Sequence, residues 1–165
     1  MKNKKIVDEK ELLSIITSLK NDNKKIVFTS GCFDIIHAGH VLYLEDAKEK
    51  GDVLVVLLNS DSSVKGLKGE TRPIVDEFGR ASVLSGLESV DYICLFDDET
   101  PCRLIEKMRP DVVIKGGDYK GKHIPEMDMV DVYGGVVEYV TMVDGCSTTK
   151  IIEKILSVHK EGGII

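Results

Sequence analysis

His37 and His40 stand three residues apart around Gly39, near the start of a segment with helical spacing. Gly39 removes a side chain between them, so backbone and both imidazoles can approach a ligand closely. A helix N-terminus offers free N–H groups and a partial positive charge, which suit phosphate, and two imidazoles there can donate hydrogen bonds to phosphoryl oxygens. A second terminus of this kind follows Gly145 and Cys146, with hydroxyls on Ser147, Thr148 and Thr149. Lys65, Lys68 and Arg72 lie in a stretch too polar and glycine-rich for a core element, and they read as three mobile cations. The set suits a polyphosphate.

Taken singly, each part has a plainer reading. Two histidines at this spacing are commonly surface or hydrogen-bonded core residues, Ser147 is a helix cap, and residues 65–72 are a solvated loop. Asn59 and Asp61 can be turn formers only. Their joint placement favours a site, because each group follows the end of an expected strand. Gly31, Cys32, Phe33 and Asp34 follow the first, Asn59 and Asp61 the second, Lys115, Gly117 and Asp118 the fourth, and residues 144–149 the fifth. In parallel sheets covered by helices, ligands bind outside those carboxyl ends.

The elements that must position these residues alternate along the chain. Asp8 with Glu11 forms a capping-box pattern, and Leu12, Ile15, Ile16 and Leu19 follow at helical spacing. Residues 25–29 read as a β-type run. A helix begins near His40, carries Leu44 and Ala47 and stops at Gly51. Residues 53–58 are uninterruptedly apolar, as in a strand buried on both faces. Asp76 caps a helix through Leu84 and Leu87, residues 92–96 form a strand, and residues 101–108 a helix with proline in its first turn. Strand 112–115, helix 125–133 and strand 136–140 follow. The closing helix is capped by Ser147, with Ile151, Ile152 and Ile155 on its inner face. Strands alternating with helices predict an α/β fold, a Rossmann-like three-layer domain with a parallel sheet between helices. No linker divides residues 1–165, so a single domain is expected, with residues 1–24 as an N-terminal helical extension.

Composition narrows the function. The chain has 165 residues, 42% hydrophobic and 30% charged, which is ordinary for a folded domain. Its net charge of −6 lacks the basic surface that broad nucleic-acid binding needs, so no nucleic-acid partner is expected. No apolar run reaches the roughly 18 residues of a membrane span, so no membrane partner is expected either. Cys32, Cys94, Cys102 and Cys146 show no paired or zinc-type spacing, and free thiols fit a cytoplasmic location. Cys94, inside an apolar run, reads as a small core residue.

The tetrad His37-Ala38-Gly39-His40, preceded by Gly31-Cys32-Phe33-Asp34, resembles the H-x-G-H signature of a nucleotidyltransferase superfamily and its G-x-F-D lead-in. Four blocks in order resemble the branch of adenylyltransferases that make ADP-heptose, in its stand-alone form. They are F-T-S-G-C-F-D-I-I-H-A-G-H, N-S-D-S-S-V-K-G-L-K-G-E-T-R-P, K-G-G-D-Y and D-G-C-S-T-T, spanning about residues 25–156. The glycerol-3-phosphate cytidylyltransferases share the tetrad and the S-T-T. They usually carry an arginine where this chain has Met142, and G-D-D-W where it has Gly116-Gly117-Asp118-Tyr119. Arg80 does not separate the two branches.

The resemblance implies transfer of AMP from ATP to D-glycero-D-manno-heptose 1-phosphate, with release of pyrophosphate and no covalent intermediate. A cytidylyltransferase is the alternative. A catalytically silent nucleotide-binding module, or a metal-dependent hydrolase using His37, His40 and His123, would be of another class. By the family pattern His37 and His40 hold the triphosphate, and the backbone of Gly31 to Phe33 lines the nucleotide. Ser147 and Thr148 hold phosphate, and Lys65, Lys68 and Arg72 close over the β- and γ-phosphates or the sugar phosphate. Mg²⁺ is expected as a bridge held mainly by phosphates and water, and no residue is assigned to it, Asp34 and Asp118 being only weak candidates as direct ligands. A homodimer is the family's expectation. Read as a solvated loop, residues 65–72 should affect kinetics and leave folding alone.

Overall fold

β1 (Ile26–Gly31), β2 (Val53–Asn59), β3 (Tyr92–Phe96), β4 (Val112–Gly116) and β5 (Val136–Val140) pair in parallel in the order β3-β2-β1-β4-β5. The computed structural model describes residues 3–141 and 145–162. The chain runs outward from β1 through β2 to β3, then returns to β4 on the other side of β1. That reversal opens a crevice at the carboxyl ends of β1 and β4, where open α/β sheets take their ligands. The fold is the expected Rossmann-like α/β domain.

Alternation along the strands explains the two layers of core. Val27, Leu54, Val56, Leu58 and Ile114 point to one face and pack under α2 (Ala38–Lys48) and α4 (Glu77–Ser85) through Leu44, Ala47, Ala81 and Leu84. Ile26, Phe28, Val55, Leu57 and Val113 point to the other, against α1 (Glu9–Asn21), α5 (Cys102–Met108) and α6 (Pro125–Asp131). Every residue of β2 is buried, as its apolar run predicts. Cys94 is a core residue, and burial pushes its thiol up to about 12.

Local signals place most helix ends. Asp8 and Glu11 form the reciprocal capping box, and Asp76 accepts from the Gly79 amide. The N-terminal segment adds to the sheet: Val7 N–H donates to Ile93 O at 3.0 Å, and Ile93 N–H to Lys5 O at 2.7 Å. Residues 5–7 thus lie along β3, the strand at that end of the sheet.

Three local expectations need correction. Residues 65–68 are not loop: they finish α3 (Asp61–Lys68), which Ser60 caps through the Ser63 amide. Val64 is fully buried and anchors this short helix against the sheet, overriding Gly66. α2 begins at Ala38, two residues earlier than its apolar spacing suggests, because His37 takes the extended N-cap conformation. In α7 (Thr148–Gly162), Ile151 and Ile152 are half-buried but Ile155 is 59% exposed, so the inner face is narrower than predicted.

Candidate active site

Five residues separate the end of β1 from His37, and the local backbone is strained. Phe33 sits at φ 44°, a left-handed conformation that bulky residues rarely adopt, at a cost of roughly 1–3 kcal/mol. Its ring is buried, tilted against His40 at 5.2 Å between centroids. The same ring explains Gly31, where a Cβ would lie 3.0 Å from Phe33 Cε2.

The two imidazoles stack. Their centroids are 3.8 Å apart and their planes 16° from parallel. Burial holds His40 down at about 4, helped by His37 and Lys68, and burial also lowers His37. Both rings are therefore neutral at pH 7. Both Nδ1 atoms are buried and neither has a hydrogen-bond partner among the described residues, so no described residue fixes either ring's tautomer. α2 has no side-chain cap and no acidic residue in its first turn, which leaves its positive end uncompensated.

A second helix end meets the first. A Cβ on Gly39 would lie 2.9 Å from Cys146 Cβ, and Thr148 Oγ1 donates to Ile35 O at 3.4 Å. Ser147 is the predicted cap, accepting from the Lys150 amide at 3.1 Å, while Thr149 is exposed. The N-termini of α2 and α7 thus converge. Met142 and Asp144, singled out in the sequence, lie outside the described residues.

Several expected ligand residues turn out to be engaged within the protein. Asp34 is buried and accepts from the Ile74 and Val75 amides at 2.8 and 2.9 Å. Its other oxygen lies 2.8 Å from Arg72 Nε, an ionic contact whose angle does not make a hydrogen bond. Arg72, 15% exposed, is therefore not a mobile cation but half of a buried pair. Asp61 is taken by Arg80 at 2.8 Å, and Asn59 donates to Ser63 Oγ at 2.9 Å. Gly117 and Asp118 form a 3₁₀ turn after β4, Gly117 half-buried and Asp118 exposed.

Arg80 is the site-builder that motif reading passed over. Fully buried, it donates to the carbonyls of Val75, Cys32 and Asn59 and to the Asp61 carboxylate. It ties the ends of β1 and β2 to the start of α3. The signal was available: a lone arginine on the inward face of an amphipathic helix must find partners.

Beside this constellation a cavity of about 490 Å³ opens at the carboxyl ends of β1 to β4, lined in part by Ser30, Cys32, Lys68, Lys115, Tyr119 and Glu126. Lys115 is ion-paired with Glu126, a residue the sequence gave no reason to single out. Lys65 and Lys68 are exposed on α3, and Lys68 is close enough to act on His40 and Cys32. His123 pairs with Asp128 at the surface. A slightly larger cavity, about 530 Å³, lies at the opposite ends of the strands among Lys20, Lys24, Arg109 and Tyr133, and it holds none of the residues singled out above.

Residues 28–154 match the cytidylyltransferase-like family model. The chain belongs to the cytidylyltransferase-like family. It is similar to the bifunctional protein HldE of Geobacter metallireducens, 55% identical over 150 residues that cover 91% of this chain and 31% of that protein. HldE of Campylobacter jejuni is 53% identical over 152 residues, covering 92% and 32%. The chain therefore spans about a third of the length of these relatives. A solved lipopolysaccharide core biosynthesis protein from Thermoplasma volcanium is 30% identical with a TM-score of 0.58, covering 73% of this chain and 97% of that one. A pantoate-beta-alanine ligase from Francisella tularensis shares the fold at 15% identity and TM-score 0.59, covering 94% and 79%.

Membership in the cytidylyltransferase-like family makes the chain a nucleotidyltransferase, and two outcomes follow from its geometry. Arg72→Ala should lower thermal stability, contrary to the loop expectation, because it leaves the buried Asp34 carboxylate uncompensated. Lys68→Ala, removing an exposed side chain, should leave the melting temperature within a degree or two and lower kcat/KM. Calorimetry and steady-state kinetics on both variants separate the two roles.

Acid should also weaken this cytidylyltransferase-like fold through His40. Its folded value of about 4 lies below the ordinary 6.5, so between those values the unfolded chain binds more protons. The contribution of neutral His40 is complete above pH 6.5 and is lost as pH falls toward 4. Urea midpoints across pH 4–7 should fall less steeply for His40→Asn than for the wild type. Parallel curves would contradict the assignment. No helix among the described residues is long and apolar enough to cross a membrane.

Proposed function

We propose that this chain transfers AMP from ATP to D-glycero-D-manno-heptose 1-phosphate, forming ADP-heptose and releasing pyrophosphate. The observation that carries the reading is the stacked, neutral His37–His40 pair, its Nδ1 atoms unpartnered among the described residues, where two helix N-termini converge. A triphosphate suits that place: the helix ends supply partial positive charge and the rings supply donors once a phosphate sets their tautomers. The four sequence blocks and the lipopolysaccharide-core relative support a sugar phosphate as acceptor.

The reaction asks for positioning more than for covalent chemistry. The sugar phosphate oxygen attacks the α-phosphorus in line as the bond to pyrophosphate breaks, so no protein nucleophile is needed. His37 and His40 meet charge spreading over the phosphates, and Lys68 closes from α3. Gly31, Cys32 and Phe33 give backbone to the nucleotide, with Gly117, Asp118, Ser147, Thr148 and Thr149 along its other side. Burial raises the Cys32 thiol, which argues for packing and against a thiolate.

Mg²⁺ would be held mainly by the oxygens of the triphosphate and by water, and it would supply neutralisation of their charge. Asp34, already held by two amides and Arg72, is not free to ligate it, and Asp118 is the exposed carboxylate nearest in sequence to the β4 end. The test is pyrophosphate release with ATP, CTP and GTP, each paired with heptose 1-phosphate and with glycerol 3-phosphate. The highest kcat/KM is expected for ATP with heptose 1-phosphate. Equal or higher efficiency with CTP and glycerol 3-phosphate overturns the assignment.

A further inference from the structure

At the amino-terminal end of the sheet, the loops that lead into β1, β4 and β5 meet around the cavity of about 530 Å³. This pole is opposite the histidine pair, away from the carboxyl ends where open α/β sheets take their ligands. The chain carries a net charge of −6, yet Lys20, Lys24, Lys25 and Arg109 line this one hollow against a single carboxylate, Asp111. All four cations are exposed, and none forms an ion pair among the described residues. Asp111 is itself engaged, accepting the Ile26 amide at 2.7 Å. Like charges gathered without counter-ions repel one another, and they attract an anion.

A plainer reading covers part of the cluster. Helices α1 and α5 end here, and cations suit helix carboxyl ends. That accounts for Lys20, whose ammonium donates to the Met108 and Arg109 carbonyls at 2.8 and 2.6 Å. Lys24 and Lys25 lie beyond the last turn of α1, where the effect has faded. The Arg109 guanidinium stands over the Tyr133 ring, 6.0 Å from its centroid. Gly135 makes room for that ring, since a Cβ there would lie 2.7 Å from Tyr133 Cε2. The Tyr133 hydroxyl is buried and has no hydrogen-bond partner among the described residues. Burial pushes this phenol up to about 12, so at neutral pH the hydroxyl is a donor. An unsatisfied donor beside a basic hollow calls for an acceptor.

We propose that this hollow is a second anion site, which takes a phosphoryl group and is separate from the site of nucleotidyl transfer. A tetrahedral oxyanion fits it better than a planar carboxylate, because the donors come from three separate loops. The Arg109 fork takes two phosphoryl oxygens, while Lys24 and Lys25 supply charge from the loop before β1. The occupant is either a free oligophosphate or the phosphoryl end of a phosphorylated metabolite.

The experiment titrates the isotope-labelled protein with pyrophosphate, inorganic phosphate, glucose 6-phosphate and malonate, followed by amide NMR. The Lys24 and Gly134 amides report this hollow and the Gly39 amide reports the histidine site, so the two events are read apart. Saturable shifts at Lys24 and Gly134 are expected with pyrophosphate, weaker binding with phosphate, and the weakest with malonate. Tighter binding of glucose 6-phosphate than of pyrophosphate assigns the phosphoryl group to a metabolite, and the reverse assigns it to a free oligophosphate. Arg109→Gln should raise the Kd of the tighter probe roughly tenfold and Tyr133→Phe roughly threefold, with the Gly39 response unchanged in both. Tyr133→Phe removes a hydroxyl that has no partner, so the melting temperature of the ligand-free protein should not fall. Absence of shifts at Lys24 and Gly134 with every phosphate probe overturns the proposal. Malonate binding as tight as phosphate binding also overturns it, as does unchanged affinity in both variants.

Discussion

His37→Ala and His40→Ala should each lower kcat by roughly a hundredfold or more, the range seen when one preorganised donor to a developing charge is removed. ATP affinity should fall less than kcat, because the charge these rings meet is greatest in the transition state. The stack sharpens the expectation. With centroids 3.8 Å apart, each ring holds the other in place, so the double variant should lose less than the product of the single losses. Cys32→Ser is the matched control: its thiol is raised by burial, and the variant should keep most of the activity. Steady-state rates with calorimetric ATP binding on the four proteins check this. Normal kcat with weakened ATP binding in the histidine variants would reduce them to ground-state binding groups. A folded, ATP-binding but inactive Cys32→Ser protein would count against direct in-line transfer.

Arg80→Met should be the most damaging single change away from the histidine pair. It leaves three carbonyls and the Asp61 carboxylate without their donor. Breaking a buried charged network in this way costs about 3–5 kcal/mol. For a domain of this size that is a fall of roughly 10 °C in melting temperature. Cys32 O is one of the acceptors, so the strained turn at Phe33 should loosen as well, and the surviving folded protein should show a raised KM for ATP. A variant with unchanged thermal stability would mean that solvent replaces the guanidinium at no cost, and the network would lose its assigned role.

How much could be read from residues alone depended on the range of the interaction. The strands were legible because runs such as residues 53–58 are apolar on both faces, and the helix starts at Asp8, Asp76 and Ser147 because capping is decided within three residues. The strand-end placement of the site followed from the alternation itself. α3 was hidden because a polar, glycine-containing run masks Val64, the one buried apolar residue that holds it. The roles of Asp34, Arg72 and Asp61 were misjudged for a related reason. A charged residue looks the same in sequence whether it faces solvent or a partner, and those partners lie 38 residues away for Arg72 and 19 for Asp61. The pairing of Lys115 with Glu126 is hidden likewise, since it depends on how α6 returns over the end of β4.

Residues 5–7 lie on β3 through the bonds to Ile93, with Lys5 Nζ also holding Leu87 O at 2.9 Å. Their short pairing occupies Ile93 N–H and O, groups that would otherwise template another chain's strand. Trimming this segment leaves the residues of the candidate site untouched in sequence, yet it opens an apolar β-rim to self-association. Its consequence belongs to handling and evolution more than to catalysis. An extension ahead of residue 5 is compatible with the sheet as long as this strap stays seated, whereas a cut just after residue 7 bares both Ile93 groups and should raise the tendency to self-associate.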